Sequence, residues 1–110
     1  MCKAVTLHHN EHGYVAWCGR CRYMSLAFGN MMVAFGTAQA EAFVKVLSAD
    51  VLQYAGRVCV KEKAFIYNSD SQHVKFVLNY MEVERLLELL NKALLMHEVR
   101  TLLDGETPED

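Results

Sequence analysis

Alternation governs the first third of the chain. From Lys3 to Phe35 apolar and polar residues follow a two-residue period, the mark of strands whose side chains point in turn to two faces. In the first segment Val5, Leu7 and His9 fall on one face and Ala4, Thr6 and His8 on the other. Asn10-Glu11-His12-Gly13 supplies turn formers before Tyr14 to Trp17 resumes an extended run, which predicts a hairpin. A second hairpin joins Tyr23–Phe28 to Met31–Phe35 through Gly29-Asn30, two residues that tolerate positive φ and suit a tight primed turn. At Gly36-Thr37 the period becomes helical, with Thr37 as the expected N-cap and Phe43, Val46, Leu47, Val51 and Tyr54 as an apolar stripe ending at Gly56. Arg57 to Asn68 is rich in β-branched and aromatic residues, Ser69 to Gln72 reads as a turn, and His73 to Leu78 alternates again, giving a third hairpin. Asn79 and Glu82 stand at capping-box spacing and open a last helix that runs towards Leu103, before Gly105 and Pro108 stop it.

Placed in register, Met31 to Ala49 resembles Val74 to Lys92, with Phe35-Gly-Thr-Ala-Gln lying against Leu78-Asn-Tyr-Met-Glu. Two ββα units are the economical reading, although any strand followed by an amphipathic helix shares this pattern. The fold class expected is α+β: an antiparallel sheet of hairpins with two helices packed on one face. One domain should span residues 1–104, with an N-terminal Cys-x-x-Cys hairpin over 1–21 and an acidic, frayed tail over 105–110.

Composition narrows the function classes. With 53% hydrophobic residues in 110, the chain can close one core burying roughly 65% of its unfolded surface, so disulfide scaffolding is not needed for folding. The net charge of −2 offers no basic excess for nucleic acid or an anionic membrane. Apolar runs stop at five residues, Tyr14–Cys18 and Met31–Phe35, far short of a membrane span. The first ten residues hold no secretory apolar stretch, and a cytoplasmic location is expected.

The candidate chemistry lies in the cysteines. Trp17-Cys18-Gly19-Arg20-Cys21 resembles the thioredoxin active-site motif over five positions, which would imply a small thiol-redox protein using Cys18 and Cys21. Thioredoxin-like proteins set that motif at a helix start beside a cis-proline, whereas here Arg20 replaces the motif's proline, Arg22 to Phe28 alternates as a strand, and the only proline is Pro108. A Cys-x-x-Cys between strands also resembles the knuckle of a zinc ribbon, where a tight turn aims two thiolates at one metal. If the first hairpin turns about Glu11-His12, opposed residues sum to 23, which sets Val5 across from Cys18 and Cys2 across from Cys21. Cys2, Cys18 and Cys21 are then the expected zinc ligands, while His8, His9 and His12 lie about 13 Å away at the other end of the hairpin. The fourth ligand stays open between water, Cys59, His73 and another histidine. The competing account makes these cysteines small reduced hydrophobes, as cytosolic cysteines commonly are, and Cys59 between Val58 and Val60 fits it best.

Enzyme signals are thin. No Ser-His-Asp order, phosphate loop or acid pair stands out; a Cys-His hydrolase assembles in space and not in sequence, so catalysis stays open with the balance against it. Tyr14, Trp17, Tyr23 and Phe28 with Arg20 and Arg22 have the composition of a nucleic-acid stacking surface, but residues 1–36 carry only three basic residues and one acidic, and core aromatics are the better account. No small-molecule ligand is designated. The last helix says more about partners: Val83, Leu86, Leu87, Leu90, Ala93, Leu94 and His97 share one arc, yet beyond Lys92 the residues Leu95, Met96, Val99, Leu102 and Leu103 fill the side that was polar. Either a last turn folds back, or a second subunit covers it; a homodimer through the C-terminal helix is expected.

The run Cys18-Gly-Arg-Cys21, then Leu26-Ala-Phe-Gly-Asn30, Phe35 and Glu84-Arg-Leu-Leu-Glu-Leu-Leu90 resembles a family of uncharacterised small bacterial proteins with an N-terminal Cys-x-x-Cys. The resemblance implies a shared fold and a bacterial context, and it brings no catalytic residue with it.

Overall fold

In the computed structural model, described over residues 4–56, 65–68 and 75–104, six strands and two helices follow one another as ββββαββα. Strands β1 (Val5–Asn10), β2 (Gly13–Cys18), β3 (Tyr23–Phe28) and β4 (Met31–Phe35) form an antiparallel meander in chain order. Helix α1 (Thr37–Tyr54) follows, then β5 (Phe65–Asn68) and β6 (Lys75–Leu78) pair as a separate two-stranded sheet, and α2 (Tyr80–Asp104) closes the fold. The first two expected hairpins are present, the third is seen as the paired strands Phe65–Asn68 and Lys75–Leu78 in a sheet of their own, and the class is α+β.

The turns form where local chemistry favours them. Asn10 Oδ1 accepts from the backbone N–H of His12 at 2.8 Å and of Gly13 at 3.2 Å, so the side chain holds the Glu11-His12 turn closed. In the Gly29-Asn30 turn, Gly29 has φ +60, the sign a primed hairpin turn requires of its first central residue. The helix starts share one device. Asn79 and Glu82 close a full capping box: Asn79 N–H donates to Glu82 Oε1 at 2.9 Å and Glu82 N–H to Asn79 Oδ1 at 2.8 Å. At α1 the cap is Gly36 and not Thr37; with no side chain to offer, Gly36 keeps only the return half, its N–H donating to Gln39 Oε1 at 2.9 Å. These two bonds lie at equivalent places in the Met31–Ala49 and Val74–Lys92 segments. Core positions match too: Phe35, Ala40 and Leu47 are buried in one unit as Leu78, Val83 and Leu90 are in the other.

Register assigns the faces of the large sheet. Across the four strands, Val5–Trp17–Met24–Phe35 and His8–Val15–Leu26–Val33 form rows on one face. That face joins Leu47 of α1 and Val83, Leu86, Leu89, Leu90 and Ala93 of α2 in a single core. The opposite face carries the rows Thr6–Ala16–Ser25–Ala34 and His9–Tyr14–Ala27–Met32. The expected alternation in β1 is overturned by a bulge between Thr6 and His8. It buries Leu7 and moves His8 onto the core-side face and His9 onto the outer one, since an extra residue in one strand shifts every later side chain. Val46, expected in the α1 stripe's core, is largely exposed, and Ala40 and Leu47 are the α1 residues fully buried. The Ser69–Gln72 turn, Cys59 and His73 lie outside the described residues.

Candidate functional site

The loop Gly19–Arg22 closes the hairpin between β2 and β3 beyond the last pair, Cys18 with Tyr23. Arg22 N–H donates to Cys18 O at 2.7 Å, and Cys21 N–H donates to Cys18 Sγ at 3.3 Å. Arg22 has φ +60, the one described non-glycine residue in the left-handed region, where a Cβ meets the following carbonyl at a cost of about 1–2 kcal/mol. Strain of this kind persists where surrounding structure enforces it, and it collects at functional loops. In the same loop the Cys21 amide faces the Cys18 sulfur. An N–H directed at sulfur stabilises negative charge there, as a metal-bound or nucleophilic thiolate requires.

The two cysteines differ in state. Cys18 is a buried free thiol, whereas Cys21 is exposed and disulfide-bonded. The Cys18–Cys21 disulfide of a thioredoxin-type site is therefore not formed. Cys2 lies outside the described residues, so the full ligand set Cys2, Cys18 and Cys21 is not displayed. Among the described residues no group of three or more His, Cys, Asp and Glu is placed to hold a metal. In β1 the sum-of-23 register holds from His8 to Asn10, but the bulge resets it, so Val5 opposes Trp17 and not Cys18. His8, His9 and His12 stay towards the turn end: His8 and His9 pair with Val15 and Tyr14, three and four residues or about 10 and 13 Å along β2 from Cys18, and His12 lies in the turn beyond them. His12 Nε2 lies 3.4 Å from Glu11 Oε1.

The aromatic residues of the candidate stacking surface are split. Tyr14 and Tyr23 are exposed on the outer face, while Trp17 and Phe28 belong to the core-side face. Trp17 has a partner that periodicity alone does not reveal: its ring meets His97 of α2 with centroids 4.5 Å apart and planes at 57°. His97 is only 9% exposed, and Thr101, one turn on, is buried with its hydroxyl donating to His97 O at 2.9 Å. The signal available in sequence was the place of His97 on the apolar arc of the helix. A cleft of about 610 Å³ opens beside it between α1 and α2, lined by Thr37, Glu41, Leu95, Glu98 and Leu102 among others. A smaller apolar cleft of about 230 Å³ lies between β4, α1 and β6, with Phe35, Phe43 and Phe76 in its walls.

Helix α2 is continuous over its 25 residues, so no last turn folds back. Leu95, Leu102 and Leu103 are 62, 74 and 80% exposed, and Met96 and Val99 are exposed beside them. The same sector one to three turns earlier carries Glu84, Arg85, Glu88 and Lys92, the last two paired at 2.9 Å. No described helix is long and apolar enough to cross a membrane.

A meander of hairpins, two capped helices and a cysteine loop at one hairpin end define a small α+β domain with no catalytic constellation among its described residues. The chain belongs to the Family of unknown function (DUF6686), whose model matches residues 1–105. Comparison with curated proteins and with solved structures gives no match.

Proposed function

We propose that this chain is a non-enzymatic, homo-oligomeric module whose N-terminal hairpin holds zinc through Cys2, Cys18 and Cys21. The observation that carries the metal reading is the loop itself: an amide donates to Cys18 Sγ and Arg22 is held at positive φ in a tight turn between two cysteines. Thiolates from a tight Cys-x-x-Cys loop and from Cys2 at the start of the same hairpin are the donor chemistry that zinc selects, and a reducing cytoplasm would keep these cysteines free of disulfides. The dimer reading rests on the change of α2's outward sector from charged to apolar after Lys92.

The deciding measurement is the metal content of protein purified without chelator. One zinc per chain or per dimer is expected. Serine at position 2, 18 or 21 should abolish stoichiometric zinc, whereas serine at 59 or glutamine at 8, 9 or 12 should leave it bound. Chelation should lower Tm by about 10 °C, because metal binding to a folded site adds to folding free energy. Metal-free protein whose Cys21 disulfide cycles reversibly with a thiol reductant would overturn zinc in favour of thiol-redox chemistry.

A further inference from the structure

The outward ridge of α2 has differently charged flanks. At about 100° per residue, Glu98 and Arg100 stand roughly 100° to either side of Val99, the middle of the apolar sector. Beside the apolar segment, then, one flank carries the carboxylate of Glu98 and the other the guanidinium of Arg100. The acidic flank faces α1. There Glu98 shares the large cleft with Glu41. No described ion pair engages Glu41, Glu98 or Arg100. The flank next to α1 is thus an apolar-floored cleft with two uncompensated carboxylates at its sides.

We propose that a second copy of this chain covers the ridge with its α2 parallel to the first, placing Arg100 of each copy towards the Glu41–Glu98 cleft of the other. The argument is one of symmetry. If two helices pack across a two-fold axis perpendicular to them, antiparallel, each flank meets the same flank, so Glu98 faces Glu98 and Arg100 faces Arg100. If the axis runs along the helices, the flanks exchange, and every acidic flank meets a basic one. Like charges at a desolvating contact cost energy and opposite charges fix orientation, so the segregated flanks favour the parallel arrangement. In the first half of the helix charged residues occupy the ridge itself, which confines the seam to Leu95–Leu103.

This inference rests on the homodimer reading, and the test separates the two. Dimer dissociation constants are measured by analytical ultracentrifugation for wild type, Glu98→Arg, Arg100→Glu and the double variant, with circular dichroism confirming that each folds. Each single reversal should weaken the dimer about tenfold, and the double reversal should return to within about threefold of wild type. Raising salt from about 0.05 to 0.5 M should weaken wild type and the double variant alike. A wild-type dimer that ignores both single reversals, or a double variant no tighter than the singles, would overturn the parallel arrangement and leave the dimer standing. A monomeric wild type would overturn both.

Discussion

Gly13 pairs with Phe28 of β3, and a Cβ built on it would enter the contact radius of Ala27 O and crowd Phe28. Since both obstacles are backbone, Gly13→Ala should cost about 2–3 kcal/mol in urea denaturation, as overpacking does in a core with no flexible neighbour to move. Tyr67 offers a different test. Its hydroxyl donates to Asp50 Oδ2 at 2.7 Å, and burial followed by that bond to a carboxylate holds its pKa well above the ordinary 10.0. The folded state therefore keeps a proton that the unfolded chain releases near pH 10. The stability this contributes is complete below pH 10 and lost as the pH rises beyond it. Tyr67→Phe should lower stability at pH 7 by about 1–2 kcal/mol and make the decline between pH 10 and 12 shallower, which denaturation at stepped pH would measure. A variant declining as steeply as wild type would move the alkaline sensitivity to Tyr80, whose pKa burial and Glu84 also raise.

At the scale of elements, helix starts and tight turns were legible in the sequence because they depend on a few residues in contact with their own backbone. Asn79 with Glu82, Gly29-Asn30 and the Asn10–Gly13 turn all stand where the spacing put them. Asn79→Ala should destabilise the domain by about 1 kcal/mol, and Gly36→Asn, which completes the half-box at α1, should stabilise it by a few tenths. Thermal melts of the two variants should move in opposite directions. What the pattern did not expose was the bulge at Leu7, since one extra residue leaves the period intact on both sides and changes only which face each side chain reaches. That is why even alternation sets Val5 against Cys18 where the strand sets it against Trp17: the turn fixes which ends of the strands meet, and the bulge alters the partner by one. The Trp17–His97 contact was illegible for another reason. It joins residues 80 positions apart, and nothing in either segment specifies how a helix lies across a sheet.

For the whole molecule, an exposed ridge of Leu95, Met96, Val99, Leu102 and Leu103 on a 12.5 kDa chain is a liability unless something covers it. Light scattering at micromolar concentration should return twice the chain mass, and Leu95→Glu with Val99→Glu should give monomer, because carboxylates would be desolvated in the seam. The same position of α2 has an optical consequence. Trp17 is the chain's only tryptophan, one residue from Cys18 in sequence and in tilted ring contact with His97 in space. Its emission is thus a natural gauge planted at the junction of the cysteine hairpin and the long helix. Zinc loading would perturb it from one side and subunit pairing from the other, and the two are told apart by whether the spectral change tracks metal or protein concentration. The unlabelled, unmutated protein carries its own reporter for both events.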